Sequence, residues 1–175
     1  HYLKDLTKVK RVVLDAVKKD GWSVLNADDA YSMRLMPDLD AKVAIFSLDE
    51  NNLHIKKFAK EGKITCVYEE GFVTIKKGDW KIRIAKANNI PITMEGKAKF
   101  MISNVLAASL ATYLYGFEIE DIANSLRTFI PSAALTPGRL NIFKFKKFNV
   151  LIDFAHNPAG YEAIEDYLKN IEATK

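Results

Sequence analysis

Trp22-Ser23-Val24-Leu25-Asn26-Ala27-Asp28-Asp29 decides the fold class. A short apolar run of strand character passes straight into Asn26-Ala27-Asp28-Asp29, whose side-chain oxygens can accept the free amides at the start of a helix. Downstream, the helix is predicted to run to about Met36, and Ala41 to Leu48 reads as a second buried strand. Asn51 or Asn52 can cap another helix that ends near Gly62, and Ile64 to Tyr68 supplies a third strand. Upstream, Leu6, Val9, Val13, Ala16 and Val17 follow helical spacing, with Gly21 as a stop before Trp22. This repeated helix and strand order predicts an α/β fold with a parallel sheet.

Farther along, Phe72, Thr74, Lys76 and then Trp80, Ile82, Ile84 alternate around Lys77-Gly78-Asp79, a β-hairpin pattern. Two helices are predicted next, Lys97 to about Tyr115 and Ile119 to Phe129, separated by Gly116 as a C-terminal cap. The stretch Ile130-Pro131-Ser132-Ala133-Ala134-Leu135-Thr136-Pro137-Gly138 has no period and reads as a linker. Strands at Arg139 to Phe145 and Phe148 to Phe154 follow, then a helix from about Pro158 to Ile171. These last residues are too few to enclose a core, so they are expected to open a second domain.

With 175 residues, 49% of them hydrophobic, the chain can bury a sizeable core. Lysine and arginine number 26 against 22 aspartates and glutamates, a small excess that does not demand nucleic acid and is compatible with a polyanionic ligand. The single cysteine, Cys66, excludes an internal disulfide and favours a reducing cytoplasm. No secretory signal opens the sequence. Phe100 to Phe117 carries no charge, but Ser103, Asn104, Ser109 and Thr112 interrupt it, so a central helix of a core is expected rather than a membrane span.

Chemistry concentrates in Leu151-Ile152-Asp153-Phe154-Ala155-His156-Asn157-Pro158. A strand ends in a carboxylate, then an imidazole and an amide precede a helix that starts with proline, the place where α/β folds bind ligands. Equally, Asp153 or Asn157 caps the helix and His156 is a surface residue. Pro137-Gly138-Arg139 sets a planar, permanently charged donor at the junction, either gripping phosphate or solvated in the linker. Asn104 shares a helix face with Met101, Val105 and Ala108, which predicts an amide in an apolar setting, bonded to a ligand or to backbone. Lys8 and Lys10 belong to a basic helix surface. Phe143-Lys144-Phe145-Lys146-Lys147-Phe148 reads as a hairpin with two exposed turn lysines rather than a nucleic-acid platform. His1, His54 and His156 lack metal-ligand spacing.

Asn26-Ala27-Asp28-Asp29, Gly96-Lys97-Ala98-Lys99-Phe100-Met101-Ile102-Ser103-Asn104, Pro137-Gly138-Arg139-Leu140-Asn141 and Asp153-Phe154-Ala155-His156-Asn157-Pro158 occur together in the order that resembles the Mur ligases and folylpolyglutamate synthetases. The resemblance covers essentially the whole chain and looks strongest toward the branch that adds arginine to the aspartate side chains of a polyaspartate backbone. It implies a Mur-type central ATP-binding domain over 1–136, a mostly parallel sheet with helices plus a β-hairpin, and the beginning of a Rossmann-like C-terminal domain over 137–175. It also implies ATP and Mg2+, a polyaspartate primer and arginine as partners, a homo-oligomeric full-length enzyme in the cytoplasm, and neither nucleic acid nor membrane. By the same resemblance Asn104 contacts adenine and Arg139 the phosphates. Asp153, His156 and Asn157 complete the nucleotide site, and Lys10 becomes the carbamate that binds metal, with Lys8 the alternative. Arg139, His156 and Lys10 are the catalytic candidates.

Departures from the family pattern bear on activity. No Gly-x-x-x-x-Gly-Lys-Ser/Thr phosphate loop occurs, and the family's Asp-His magnesium motif does not match His1. Phe100 and Met101 stand where muramyl enzymes often carry histidine and asparagine. Isolated, this stretch is expected to be inactive. Other readings are a muramyl-peptide or folylpolyglutamate-type ligase and a non-catalytic nucleotide-binding or interaction module.

Overall fold

A computed structural model describes Val9 and residues 11–171. The first helix, α1, is described over 11–15, and its Arg11 bonds Asp15 and Asp38. Its apolar face is not the expected one. Val9 and Val13 are exposed, while Leu14 packs inward, so helical spacing identified the element but not the buried side.

Strands β1 (Trp22–Asn26), β2 (Lys42–Ser47) and β3 (Ile64–Glu69) pair in parallel through the crossover helices α2 (Ala30–Leu35) and α3 (Leu53–Lys60). Asp29 caps α2 by accepting from the amides of Tyr31 and Ser32, and Asn52 caps α3 by accepting from His54 N. Asp28 does something different. Its carboxylate accepts from Ser47 Oγ, Leu48 N and Asn52 Nδ2, tying the carboxyl ends of β1 and β2 to the start of α3.

The hairpin of β4 (Phe72–Lys77) and β5 (Trp80–Lys86) is not set apart from that sheet. Glu70 and Gly71, both left-handed at φ 51° and 84°, turn β3 directly into β4, so the sheet order is β1-β2-β3-β4-β5. Only β4 runs against the others, which keeps the sheet mostly parallel.

Strand alternation sends side chains to two layers. Ala44, Phe46, Cys66, Val73, Ile75 and Ile84 pack against α4 (Lys99–Tyr115) and α5 (Ile119–Thr128). Leu25, Ile45 and Val67 meet Met33 of α2 and Ile55 and Phe58 of α3 on the opposite face. Burial raises the pKa of the Cys66 thiol and keeps it protonated, consistent with a core role. The uncharged helix α4 is a core helix ending at left-handed Gly116, whose amide bonds to Thr112 O and Tyr113 O. No helix among the described residues is long and apolar enough to cross a membrane.

Beyond the linker, β6 (Asn141–Lys144) and β7 (Asn149–Ile152) form a separate antiparallel pair, followed by α6 (Pro158–Lys169). Lys146 and Lys147 occupy its exposed turn, as the sequence predicts. This C-terminal part has little core of its own. Leu140 and Tyr167 bury themselves against Ala98 and Met101 at the start of α4, and that shared cluster positions the site.

Candidate functional site

The turn that carries Arg139 is dictated residue by residue. Thr136 O accepts from Arg139 N at 3.1 Å across Pro137 and Gly138, and Gly138 adopts φ 65°. Proline second and a left-handed glycine third make a type II turn. Leu140 follows with φ 50°, rare for a residue with a side chain, and is held there by burial of that side chain and a 2.8 Å bond from its amide to Asp153 Oδ2. Phe154 N bonds Gly138 O at 2.7 Å, so the turn is fastened to the end of β7 twice.

Arg139, Asp153, His156, Asn157 and Asn104 all line one cavity of about 210 Å³, walled also by Phe100, Met101, Phe154 and Gly160. The guanidinium of Arg139 lies over the Phe154 ring, 5.8 Å from its centre, and is exposed. His156 Nδ1 sits 3.0 Å from Phe154 O, which leaves Nε2 as the nitrogen available to a ligand. Asn157 caps α6 by accepting from Gly160 N at 2.8 Å. Of the two capping alternatives, then, Asn157 is the cap and Asp153 instead holds the arginine turn.

Asn104 departs from its expected setting. Sharing a helix face with Met101 and Val105 does not bury it: the side chain is exposed on a ridge, its Nδ2 only 3.8 Å from Met101 Sδ. It borders a second, more apolar groove of about 620 Å³ between α4 and α5 as well. Lys10, Lys8 and His1 lie outside the described residues. Two residues that stand in the junction motif but were given no role there organise the site, Leu140 through its burial and Asn141 through three hydrogen bonds to the turn.

Chemically the cavity suits an anion with a polar, planar appendage. An arginine fork, an imidazole and the positive end of the α6 dipole face it, while Phe154 and Phe100 supply apolar walls. At about 210 Å³ it falls below the ~300–1,000 Å³ typical of small-molecule sites, so the residues fit part of a nucleotide rather than a whole one. A metal is another matter. Among the described residues no group of three or more His, Cys, Asp or Glu could hold one, and the donor set here does not fit Mg2+ by itself.

No family model matches the chain. A cyanophycin synthetase of Geminocystis herdmanii is 45% identical over 168 residues, 96% of this chain and 19% of that protein. This chain is similar to part of a cyanophycin synthetase. The cyanophycin synthetase of Synechocystis sp. is 44% identical over the same shares. A UDP-N-acetylmuramoyl-L-alanyl-D-glutamate--2,6-diaminopimelate ligase of Phocaeicola vulgatus is 26% identical over 97% of the chain and 30% of that enzyme. The Mur-ligase resemblance therefore holds, and it is stronger toward cyanophycin synthetase. The chain spans about one fifth of the length of the cyanophycin synthetases it matches.

Proposed function

We propose that this chain carries the nucleotide-gripping part of an ATP-dependent ligase that joins arginine to the aspartate side chains of a polyaspartate backbone. One observation carries the reading: Asn104 from α4, Arg139 from the junction turn, and Asp153 and His156 from the end of β7 converge on one cavity. Similarity to cyanophycin synthetases supports the substrate assignment.

In this reaction a side-chain carboxylate takes the terminal phosphoryl group of ATP and ADP leaves. The amine of arginine then attacks the acyl carbon, inorganic phosphate departs and an amide bond remains. Two anions must be brought together, so the protein's contribution is preorganised positive charge. Arg139 offers a planar fork to phosphate oxygens, the first turn of α6 its dipole, and His156, whose Nδ1 hydrogen is given to Phe154 O, a second donor through Nε2 in its imidazolium form. Asn104, exposed on its ridge, presents a donor and an acceptor to the edge of a base. Asp153 spends Oδ2 on Leu140 N and has Oδ1 left for a ribose hydroxyl.

We assign residues 1–136 to a central ATP-binding domain and 137–175 to the start of a C-terminal one. Exposed Phe143, Val150, Ile152 and Phe154 support that division, because a two-stranded ribbon is marginal until its apolar face is covered. The test uses the complete polypeptide with ATP, radiolabelled arginine and an aspartate polymer. Arg139→Lys is expected to lower arginine incorporation about tenfold, equivalent to ~1.4 kcal/mol for one lost bidentate contact. Undiminished incorporation would remove Arg139 from the reaction, and amide formation on a muramyl peptide or folate instead would replace the substrate assignment.

A further inference from the structure

Arg139 has no hydrogen bond from its guanidinium to another described residue, and the ring of Phe154 does not fix its direction closely. Its aim must come from the backbone beneath it. That backbone is unusual, with left-handed Gly138 and left-handed Leu140 on either side of the arginine, at φ 65° and 50°. A loop in such a conformation persists only where its surroundings impose it.

Asn141 is the group that does so. It is 7% exposed, and its one amide reaches three backbone groups of the turn. Oδ1 accepts from Gly138 N at 2.8 Å, while Nδ2 donates to Thr136 O at 3.0 Å and to Arg139 O at 3.3 Å. The contacts thus span the start, centre and end of the turn that presents Arg139. Asparagine suits this geometry because one planar group supplies a donor and an acceptor side by side. A carboxylate has no donor, and would face the oxygens of Thr136 and Arg139 directly.

From this we infer that Asn141 is a positioning residue for Arg139, setting the guanidinium against the cavity by locking the turn. The inference rests on the nucleotide reading of that cavity, and its test separates the two. ATP binding to the 175-residue chain is measured by calorimetry for wild type, Arg139→Ala, Asn141→Ala and the double variant, each with its thermal melt recorded. Arg139→Ala is expected to weaken binding about tenfold, Asn141→Ala by most of that factor, and the pair no more than Arg139→Ala alone, since both remove one interaction. Multiplying losses in the double variant would overturn the positioning role.

Asn141→Asp adds a readout that a packing role would not move. Near pH 8 its carboxylate should weaken ATP binding at least as much as alanine does. Near pH 5, where a buried carboxyl between two carbonyls takes up a proton and regains a donor, affinity relative to wild type at the same pH should recover severalfold. A pH-independent ratio would overturn the inference. If Arg139→Ala binds ATP like wild type, the nucleotide reading fails. The turn is then judged by amide hydrogen exchange at Gly138 and Leu140: faster exchange in Asn141→Ala upholds the lock, and unchanged protection overturns it.

Discussion

Glu69 is the most exacting test of how this sheet is held, and its replacement by glutamine has a calculable pH signature. Its carboxylate, nearly buried at the end of β3, bonds Lys76 Nζ at 2.8 Å and Lys81 Nζ at 3.0 Å, bridging β3 to both strands of the hairpin. Burial opposes ionisation, but the hydrogen bonds and charge of the two lysines prevail and hold the carboxyl down at about 2. A depressed acid contributes stability above its unfolded pKa and loses it as pH falls toward the folded value. By linkage a displacement of that size is worth roughly 3 kcal/mol at neutral pH. Two effects lower the cost of Glu69→Gln. Lys76 and Lys81 keep some contact with water, and Glu50, whose carboxyl is pushed up by burial and by Glu69 itself, is relieved when that charge goes. We therefore expect Glu69→Gln to cost about 2 kcal/mol at pH 7 in urea unfolding, falling to a little under half of that at pH 3. An equal deficit at both pH values would mean that the loss is one of packing, and would refute the electrostatic account.

Other consequences follow from the site. Leu140→Ala should destabilise the chain by about 3 kcal/mol, because it empties a fully buried position between α4 and α6, and calorimetric melting checks it. Gly138→Ala should cost about 1–2 kcal/mol through its φ of 65° alone, since the added Cβ would meet only Phe154 Cβ at an ordinary 3.6 Å, and urea unfolding measures it. The 175-residue chain should show no ATP hydrolysis above a heat-treated control, because it contains no Gly-x-x-x-x-Gly-Lys-Ser/Thr loop to cradle phosphates.

Which parts of this molecule were legible in its sequence follows from how local each signal is. The β1-to-β3 succession could be read because each strand is a short apolar run and each helix begins with an asparagine or aspartate that caps it, as Asp29 and Asn52 do. The link between β3 and β4 could not, since a left-handed Glu70 gives no residue-type warning and only Gly71 marked the turn. Periodicity placed Asn104 beside Val105 and Met101 but could not tell that nothing among the described residues covers that side. Likewise, the Pro137-Gly138-Arg139 turn was visible in its proline and glycine, whereas the grip of Asn141 on it depends on the burial of that side chain, and the grip of Asp153 on Leu140 on a pairing across 13 residues. Lys10, chosen by resemblance, lies outside the described residues.

The central claim is that Asn104, Arg139, Asp153 and His156 form one nucleotide site. Its most direct test is an NMR titration of the isotopically labelled chain with ATP. The account predicts that the Asn104 side-chain amide, the backbone amides of Gly138 to Leu140 and those from Asp153 to Gly160 shift together with one dissociation constant, while β4 and β5 stay unmoved. Shifts confined to another surface, or separate affinities for α4 and for the end of β7, would contradict it.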